Sequence, residues 1–578
     1  MISLDELNGA SERQFVAALS GIFEHSPWIA ARTAGVRPFQ SRLQLHEAMC
    51  GVIASASSDE QLALICAHPE LAGKAAIRNE LTVESGREQQ GAGLNACTAE
   101  EFARLHELNA AYRERFGFPF ILAVRGHDVR SIIASFERRI GNSESEERAV
   151  ALRQVGSIGG YRLTDLVTVE MGAEIMAMLD ALAQFSEQDD ALTCSYLSSA
   201  HLETAALLRE WMLAAGLSVE IDAVGNVVGR WRNSSQESKT LITGSHYDTV
   251  INGGRYDGRL GVVLPIVVAS SLRQAGVALP FDLEIVGFAD EEGVRFKSTF
   301  IGSSALAGTF DPDLLTKLDA NGSSMEQALQ AAGLDPSAIP GIARDPKRLL
   351  GFIEVHIEQG PVLLERGEAL GVVTAIAGSV RYNVSITGLA GHAGTVPMGL
   401  RRDAAAAAAE IILAVERRCS AESGLVGTVG RLEVRGGAIN VIPGRCELTL
   451  DIRAGDNAVR DAALADVLGE IANIAARRKV EIAVDKLMSA AAAPCTPSMQ
   501  KSWADSIRRV CGTEPAFLPS GAGHDAMKMA EITPMGMLFV RCGNDGISHH
   551  PAETMDSADA ALAARAFADF ILNFKGQA

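Results

Sequence analysis

Along the first 165 residues, apolar side chains recur every three or four positions. SERQFVAALSGIFEH, SRLQLHEAMCGVIASA and AEEFARLHELNAAYRERF each set a hydrophobic stripe against a polar face, the period of an amphipathic helix. Two-residue alternation is nearly absent there, so an all-α segment is predicted over 1–168. The pattern changes near 170. After a helix in GAEIMAMLDALAQF, short apolar runs (TLITGSH, FDLEIVGFA, LGFIEVHI) alternate with helical stretches such as HLETAALLREWMLAAG and LGVVLPIVVASSLRQAG. That alternation predicts an α/β sheet domain, first part 169–377. A third pattern begins at 378. SVRYNVSITGLAG, GTVGRLEVRG, RCELTLDIRAG and KVEIAVDKL read as strands, separated by helices in RRDAAAAAAEIILAVERRC and NAVRDAALADVLGEIANIAARR. The order β-α-β-β-α-β predicts a ferredoxin-like α+β module over 378–488. The α/β pattern then resumes over 489–578, which makes the module an insertion.

Composition narrows the class. A chain of 578 residues is too long for one core. A net charge of −19 argues against nucleic acid or anionic membrane as partner. Nine cysteines, odd in number and without CxxC spacing, do not form a disulfide framework. The opening MISLDELNGASERQF lacks the basic and apolar regions of a signal peptide. The apolar run GVVLPIVVAS (261–270) falls short of the ~20 residues of a membrane span. A cytoplasmic protein is expected.

Candidate chemistry gathers at the ends of the apolar runs. TLITGSH ends in His246, and GSHYDTVINGGRYDG carries Asp248 and Asp257 on either side of Gly253 and Gly254, which allow a tight reversal. FDLEIVGFADEEG places Glu291 and Glu292 just past a second run, LGFIEVHIEQG places His356 at the end of a third, and NDGISHHPAE offers His549. Ligands in open α/β sheets collect at the carboxyl ends of strands. His246, Asp257, Glu292, His356 and His549 supply enough imidazole and carboxylate groups for two metals. In the expected arrangement Asp257 bridges, His246 and His356 hold one metal, and Glu292 and His549 hold the other. Such mixed ligands suit zinc or manganese. Asp248 is expected to orient the His246 ring. Glu291 is expected to be the general base that deprotonates a water activated by the metals.

The motifs GSHYDTVINGGRYDG, ADEEGVRF, VHIEQGPVL, GLAGHAGTVPM, GGAINVIPG and GISHHPAE resemble, in order, those of the aminoacylase/carboxypeptidase superfamily of dinuclear metallohydrolases. Within it they look most like allantoate amidohydrolases and N-carbamoyl-L-amino-acid hydrolases. The resemblance spans roughly 170–578. It implies that the inserted module is a lid that also dimerises, giving a homodimer. It further implies that Gln359 approaches the substrate, that His392 stabilises the oxyanion, and that Asn440 and Arg453 bind a carboxylate or ureido group. Two positions depart from the family pattern. Val396 stands where a second threonine is more usual, and His550 follows His549 where a small or amide residue is usual.

In the helical segment, His68 in ICAHPELAGK and Ser85, Glu88 and Gln89 in VESGREQQGAGL could form an acid–base pair with hydrogen-bond donors to a polar heterocycle. An oligomerisation module with an incidental histidine is the alternative. HPELAGK, SGREQQGAGL, FGFPFILAV and GGYRLTDLV resemble the 2-oxo-4-hydroxy-4-carboxy-5-ureidoimidazoline (OHCU) decarboxylase family, whose helical domain uses no metal or organic cofactor. That resemblance implies catalytic roles for His68 and Glu88 and substrate binding by Ser85, Gln89 and Arg162. Glu70 stands where the family commonly has aspartate.

Together the two resemblances imply a bifunctional enzyme of urate degradation. One half would decarboxylate OHCU to (S)-allantoin. The other would hydrolyse allantoate to ureidoglycine or ureidoglycolate, ammonia and CO2. The alternative is an N-carbamoyl-L-amino-acid or ureidoglycolate amidohydrolase whose N-terminal half is a non-catalytic assembly module.

Overall fold

The computed structural model describes residues 1–72, 81–233, 235 and 238–576. Gly73 and Lys74 of the HPELAGK motif lie outside them. The N-terminal segment is a bundle of helices with polar caps. Ser57 and Glu60 form a capping box at Ser58–Ala67, Thr98 and Glu101 another at Ala99–Phe116, and Gly117 ends that helix in the left-handed conformation. Its core is rich in aromatic rings, with Phe15, Phe23, Tyr112, Phe118, Phe120 and Phe136 buried together. One feature departs from an all-helical segment. Ile2–Ser3 pairs in parallel with Val167–Thr168, tying the two ends of the bundle. The bundle rests on the next domain through Arg42, which pairs with Glu174 and donates to the Val167 carbonyl, and through Arg125, which donates to the Ala214 carbonyl.

The second domain is built on a nine-stranded mixed sheet. At its centre Thr240–His246 lies between Asp282–Phe288 and Leu349–Ile357, parallel to both, and Met535–Val540 adds in parallel beyond the last. These strands are buried on both faces, so they read as predominantly apolar runs rather than alternating ones. Helices Leu260–Gln274, Pro497–Cys511 and Ser557–Asn573 pack against them. Trp503, Phe567 and Phe570 from the end of the chain share one core with Leu241, Val263 and Ile353. The last part of the chain therefore completes the domain begun near 170. Three parallel strands end side by side, and that edge is where His246, Glu291, Glu292 and His356 emerge.

Residues 378–490 form a separate antiparallel sheet in the order Leu425–Thr428, Arg445–Ala454, Gly378–Thr387, Glu481–Ala490, with Leu432–Arg435 also on Arg445–Ala454. Numbered along the module this is 2-3-1-4, the arrangement of a ferredoxin-like unit. Helices Ala404–Ser420 and Asn457–Arg478 cover one face. Cys446, Leu448, Leu450, Ile452 and Ala454 alternate inward toward them. The segment GTVGRLEVRG forms two short strands rather than one. Among the described residues no helix is long and apolar enough to cross a membrane. All nine cysteines are free thiols.

Candidate active sites

At the carboxyl edge of the large sheet, His246, Asp257 and His356 offer ligand atoms within 4.8 Å of one another, and so do Asp257, Glu292 and His549. Asp257 belongs to both groups, so it stands between the two histidines on one side and Glu292 and His549 on the other. His246 Nδ1 donates to the Asp248 carbonyl and His356 Nδ1 to the Ile357 carbonyl. Each ring therefore turns an Nε2 lone pair inward. Those atoms lie 3.6 and 3.2 Å from Asp257 Oδ1, a buried oxygen with no other hydrogen-bond partner among the described residues. With Nδ1 committed to a carbonyl, each Nε2 faces the carboxylate across a gap that a proton or a bound cation bridges. The charges work in the same sense. Burial works to lower the His246 pKa, yet the Asp248 and Asp257 carboxylates raise it well above its ordinary value. The donor set thus fits the divalent metals that the fold implies.

The surrounding chain holds these ligands. Asp248 accepts from the backbone N–H of Glu291 and of Glu292, and one of its oxygens lies 3.4 Å from His246 Nδ1. It fixes the imidazole and the two carboxylates together. Glu553 accepts from the N–H groups of Tyr256 and Asp257, clamping the loop that carries Asp257. Sequence reasoning missed this residue, and nothing in its local spacing marks it. Gly258 has φ +66°, and a Cβ there would come within 2.4 Å of the His246 ring. Gly258→Ala combines backbone strain of about 1–3 kcal/mol with displacement of a ligand. The expected result is at least ~10-fold weaker metal retention on dialysis and a matching loss of hydrolysis. Unchanged metal content would refute it.

Glu291 is buried beside the cluster. Burial raises its pKa well above the ordinary carboxyl value, with the charges of Glu292 and Asp525 adding to the effect while His246 opposes it. His549, not His550, joins the cluster; His550 Nδ1 instead accepts from the Ala552 N–H. Gln359 donates to Asp257 Oδ2 at 2.8 Å. His392 and Asn440 are exposed neighbours in the inserted module, linked through the Ala393 N–H and the Asn440 carbonyl. Arg453 pairs with Asp451 and donates to the Gly521 carbonyl, so part of its fork is engaged.

In the helical bundle His68, Ser85, Glu88 and Gln89 line one cavity with Phe120, Ile121 and Ile158. It measures about 30 Å³, room for a water or two, so a ring substrate requires it to widen. His68 Nδ1 donates to the Leu64 carbonyl, which leaves Nε2 buried, without a partner among the described residues and able to accept a proton. Burial lowers the His68 pKa below 6.5. If neutral Nε2 is the working form, decarboxylation is expected to persist as pH falls through 6.5 and to decline only below it. A pH profile of kcat/KM checks this, and an acid limb at or above 6.5 contradicts it.

Three side chains expected to meet substrate are engaged by protein. Arg162 makes a bidentate pair with Glu88, contacts Glu24 and Ser85, and donates to the Gly21 carbonyl. Its guanidinium ties Glu24, Ser85 and Glu88 together. Gln89 accepts from the Ala72 N–H and donates to the Glu70 carbonyl, clasping the loop after His68. The Ser85 hydroxyl donates to Glu24.

An α/β sheet with imidazole and carboxylate groups converging at its carboxyl edge is the architecture of a dinuclear metallohydrolase. Residues 242–573 match the family model described as Peptidase family M20/M25/M40, and residues 8–164 match that of OHCU decarboxylase. The chain belongs to the M20/M25/M40 family, with an OHCU decarboxylase domain fused ahead of it; it is a decarboxylase and amidohydrolase enzyme. It is 42% identical over 358 residues to an N-carbamoyl-L-amino acid amidohydrolase of Geobacillus stearothermophilus, covering 62% of this chain and 87% of that protein. It is 39% identical over 431 residues to a probable allantoate deiminase of Oryza sativa subsp. japonica, covering 69% and 87%. Among solved structures, an amidase of the hydantoinase/carbamoylase family from Burkholderia multivorans aligns with TM-score 0.66 at 31% identity, covering 69% of this chain and 97% of that one.

Proposed function

We propose that the protein is a bifunctional enzyme of urate degradation, converting OHCU to (S)-allantoin in its helical domain and hydrolysing allantoate in its α/β domain. The observation that carries this reading is the gathering of candidate site residues at two places on one chain, around His68 and around Asp257. The decarboxylase match favours allantoate over other ureido compounds, because both substrates then belong to one degradative route. The similarity to the Geobacillus protein favours the second reading, an N-carbamoyl-L-amino-acid amidohydrolase.

In the α/β site His246 and His356 would hold one metal, Glu292 and His549 the other, with Asp257 between them. Mn2+ or Zn2+ there would supply Lewis-acid polarisation of the scissile carbonyl and acidification of water. Glu291 takes the proton of the attacking water and delivers it to the leaving nitrogen. Arg453 and Asn440 bind the substrate's carboxylate or ureido group, Gln359 approaches it from the metal side, and His392 stabilises the oxyanion. These roles require the 378–490 module to act as a lid. Exposed Met398, Leu400 and Ile439 near His392 and Asn440 supply apolar surface for a homodimer.

In the helical site Phe120, Ile121 and Ile158 desolvate the substrate carboxylate. As the C–CO2 bond breaks, its electron pair forms a C=C bond to the neighbouring imine-like ring carbon, whose C=N pair moves onto the ring nitrogen, which takes a proton from water. His68 Nε2 then accepts the ring hydroxyl's proton as the O–H pair closes to a carbonyl, and returns a proton to one face of the neighbouring carbon, while Glu88 is held by Arg162 against the ring. No cofactor is needed, since the substrate is its own electron sink. The deciding experiment compares kcat/KM for ammonia release from allantoate and from an N-carbamoyl-L-amino acid. Preference for allantoate is expected; preference for the carbamoyl amino acid would establish the second reading.

A further inference from the structure

Glu24 lies outside every motif of the helical domain, yet it is 3% exposed and faces the candidate decarboxylase site. One of its oxygens, Oε1, receives three hydrogen bonds. Ser85 Oγ donates at 2.5 Å, Thr82 Oγ1 at 2.8 Å and Arg162 Nη2 at 3.0 Å. Thr82 caps the helix Val83–Gly91, accepting from the Ser85 N–H. A single carboxylate therefore grips both the cap and the first turn of the helix that carries Ser85, Glu88 and Gln89. It also steadies the arginine that pairs with Glu88. Burial works to raise the Glu24 pKa, but Ser85, Thr82 and Arg162 bring it below its ordinary value. Glu24 is thus ionised near neutrality and can only accept.

That has a consequence for Ser85. A hydroxyl has one proton and two lone pairs. The proton goes to Glu24, and Arg162 Nη2 donates to one lone pair at 3.1 Å. One lone pair remains, and Ser85 lines the cavity beside His68. We infer that Glu24 is a positioning residue that makes Ser85 Oγ a hydrogen-bond acceptor for a substrate N–H, of the ureido group or the ring. This reverses the donor role expected from the sequence. A serine left free to rotate would serve an N–H or a carbonyl equally; one fixed by Glu24 selects the N–H. The inference rests on the decarboxylase reading of this site.

The test is a double-mutant cycle on the full chain, with OHCU decarboxylation as readout and amidohydrolase activity as an internal control for folding. Glu24→Gln and Ser85→Ala are each expected to raise KM about tenfold with a smaller change in kcat, the pattern of a lost binding contact. The double variant is expected to be no worse than Ser85→Ala, because Glu24 acts through Ser85. Multiplying effects, or a KM unchanged in Glu24→Gln, would overturn the inference. A merely structural role for Glu24 would lower the thermal unfolding midpoint without that non-additivity, and would overturn it too. If Glu24→Gln does not accumulate as folded protein, Glu24→Asp, which keeps the charge but shortens its reach, enters the same cycle with the same expected outcome. Absence of decarboxylation in the unmutated protein would instead remove the reading beneath the inference.

Discussion

Glu291→Gln is expected to lower allantoate hydrolysis by about 10²–10⁴-fold, the range for loss of a positioned general base, while decarboxylation continues unchanged. The substitution keeps size and polarity but removes the proton-accepting oxygen. Its value lies in separating two roles the geometry allows. Glu291 groups with His246 and Glu292 as closely as true ligands would, so proximity alone does not tell base from ligand. A base can be neutralised without loss of metal; a ligand cannot. Metal content measured beside kcat makes the distinction. Full metal with lost turnover identifies the base, whereas metal lost in parallel with activity would move Glu291 into the ligand set.

His68→Asn is expected to have the converse effect, lowering decarboxylation by about 10²–10⁴-fold with hydrolysis intact. Asparagine can still donate to the Leu64 carbonyl in place of Nδ1, but it offers no lone pair of comparable basicity at the position of Nε2. The two sites lie in different domains with separate hydrophobic cores, so each variant should leave the other activity as its control. Decarboxylation that survives His68→Asn would take His68 out of the chemistry and leave it as a buried loop anchor.

The α/β domain was legible because its central strands are covered on both faces. TLITGSH is then predominantly apolar with only small polar residues, and the histidine that closes it marks where the strand leaves the sheet. For that reason His246, Glu291, Glu292 and His356 could be picked out before any coordinates. The inserted module showed itself through two-residue alternation in SVRYNVSITGLAG. The hairpin Ser218–Ile221 with Val227–Trp231 was not anticipated, because its first strand is short and largely exposed. Supporting residues were hidden for a different reason. Glu553 meets the Tyr256 N–H across 297 positions, and Glu24 meets Ser85 across 61. No local period encodes such pairs. Ser85, Gln89 and Arg162 were found as site residues, but their bonding depends on partners that only the fold supplies.

On the proposed function, one chain carries a metal-dependent and a metal-independent activity of the same degradative route. The direct measurement treats the purified protein with a chelator, then follows CO2 release from OHCU and ammonia release from allantoate before and after Mn2+ or Zn2+ is restored. OHCU turnover is expected at an undiminished rate throughout, and allantoate turnover is expected to vanish with the metal and return with it. Allantoate untouched in the metal-loaded protein, or OHCU turnover that rises and falls with the metal, would contradict the proposed function.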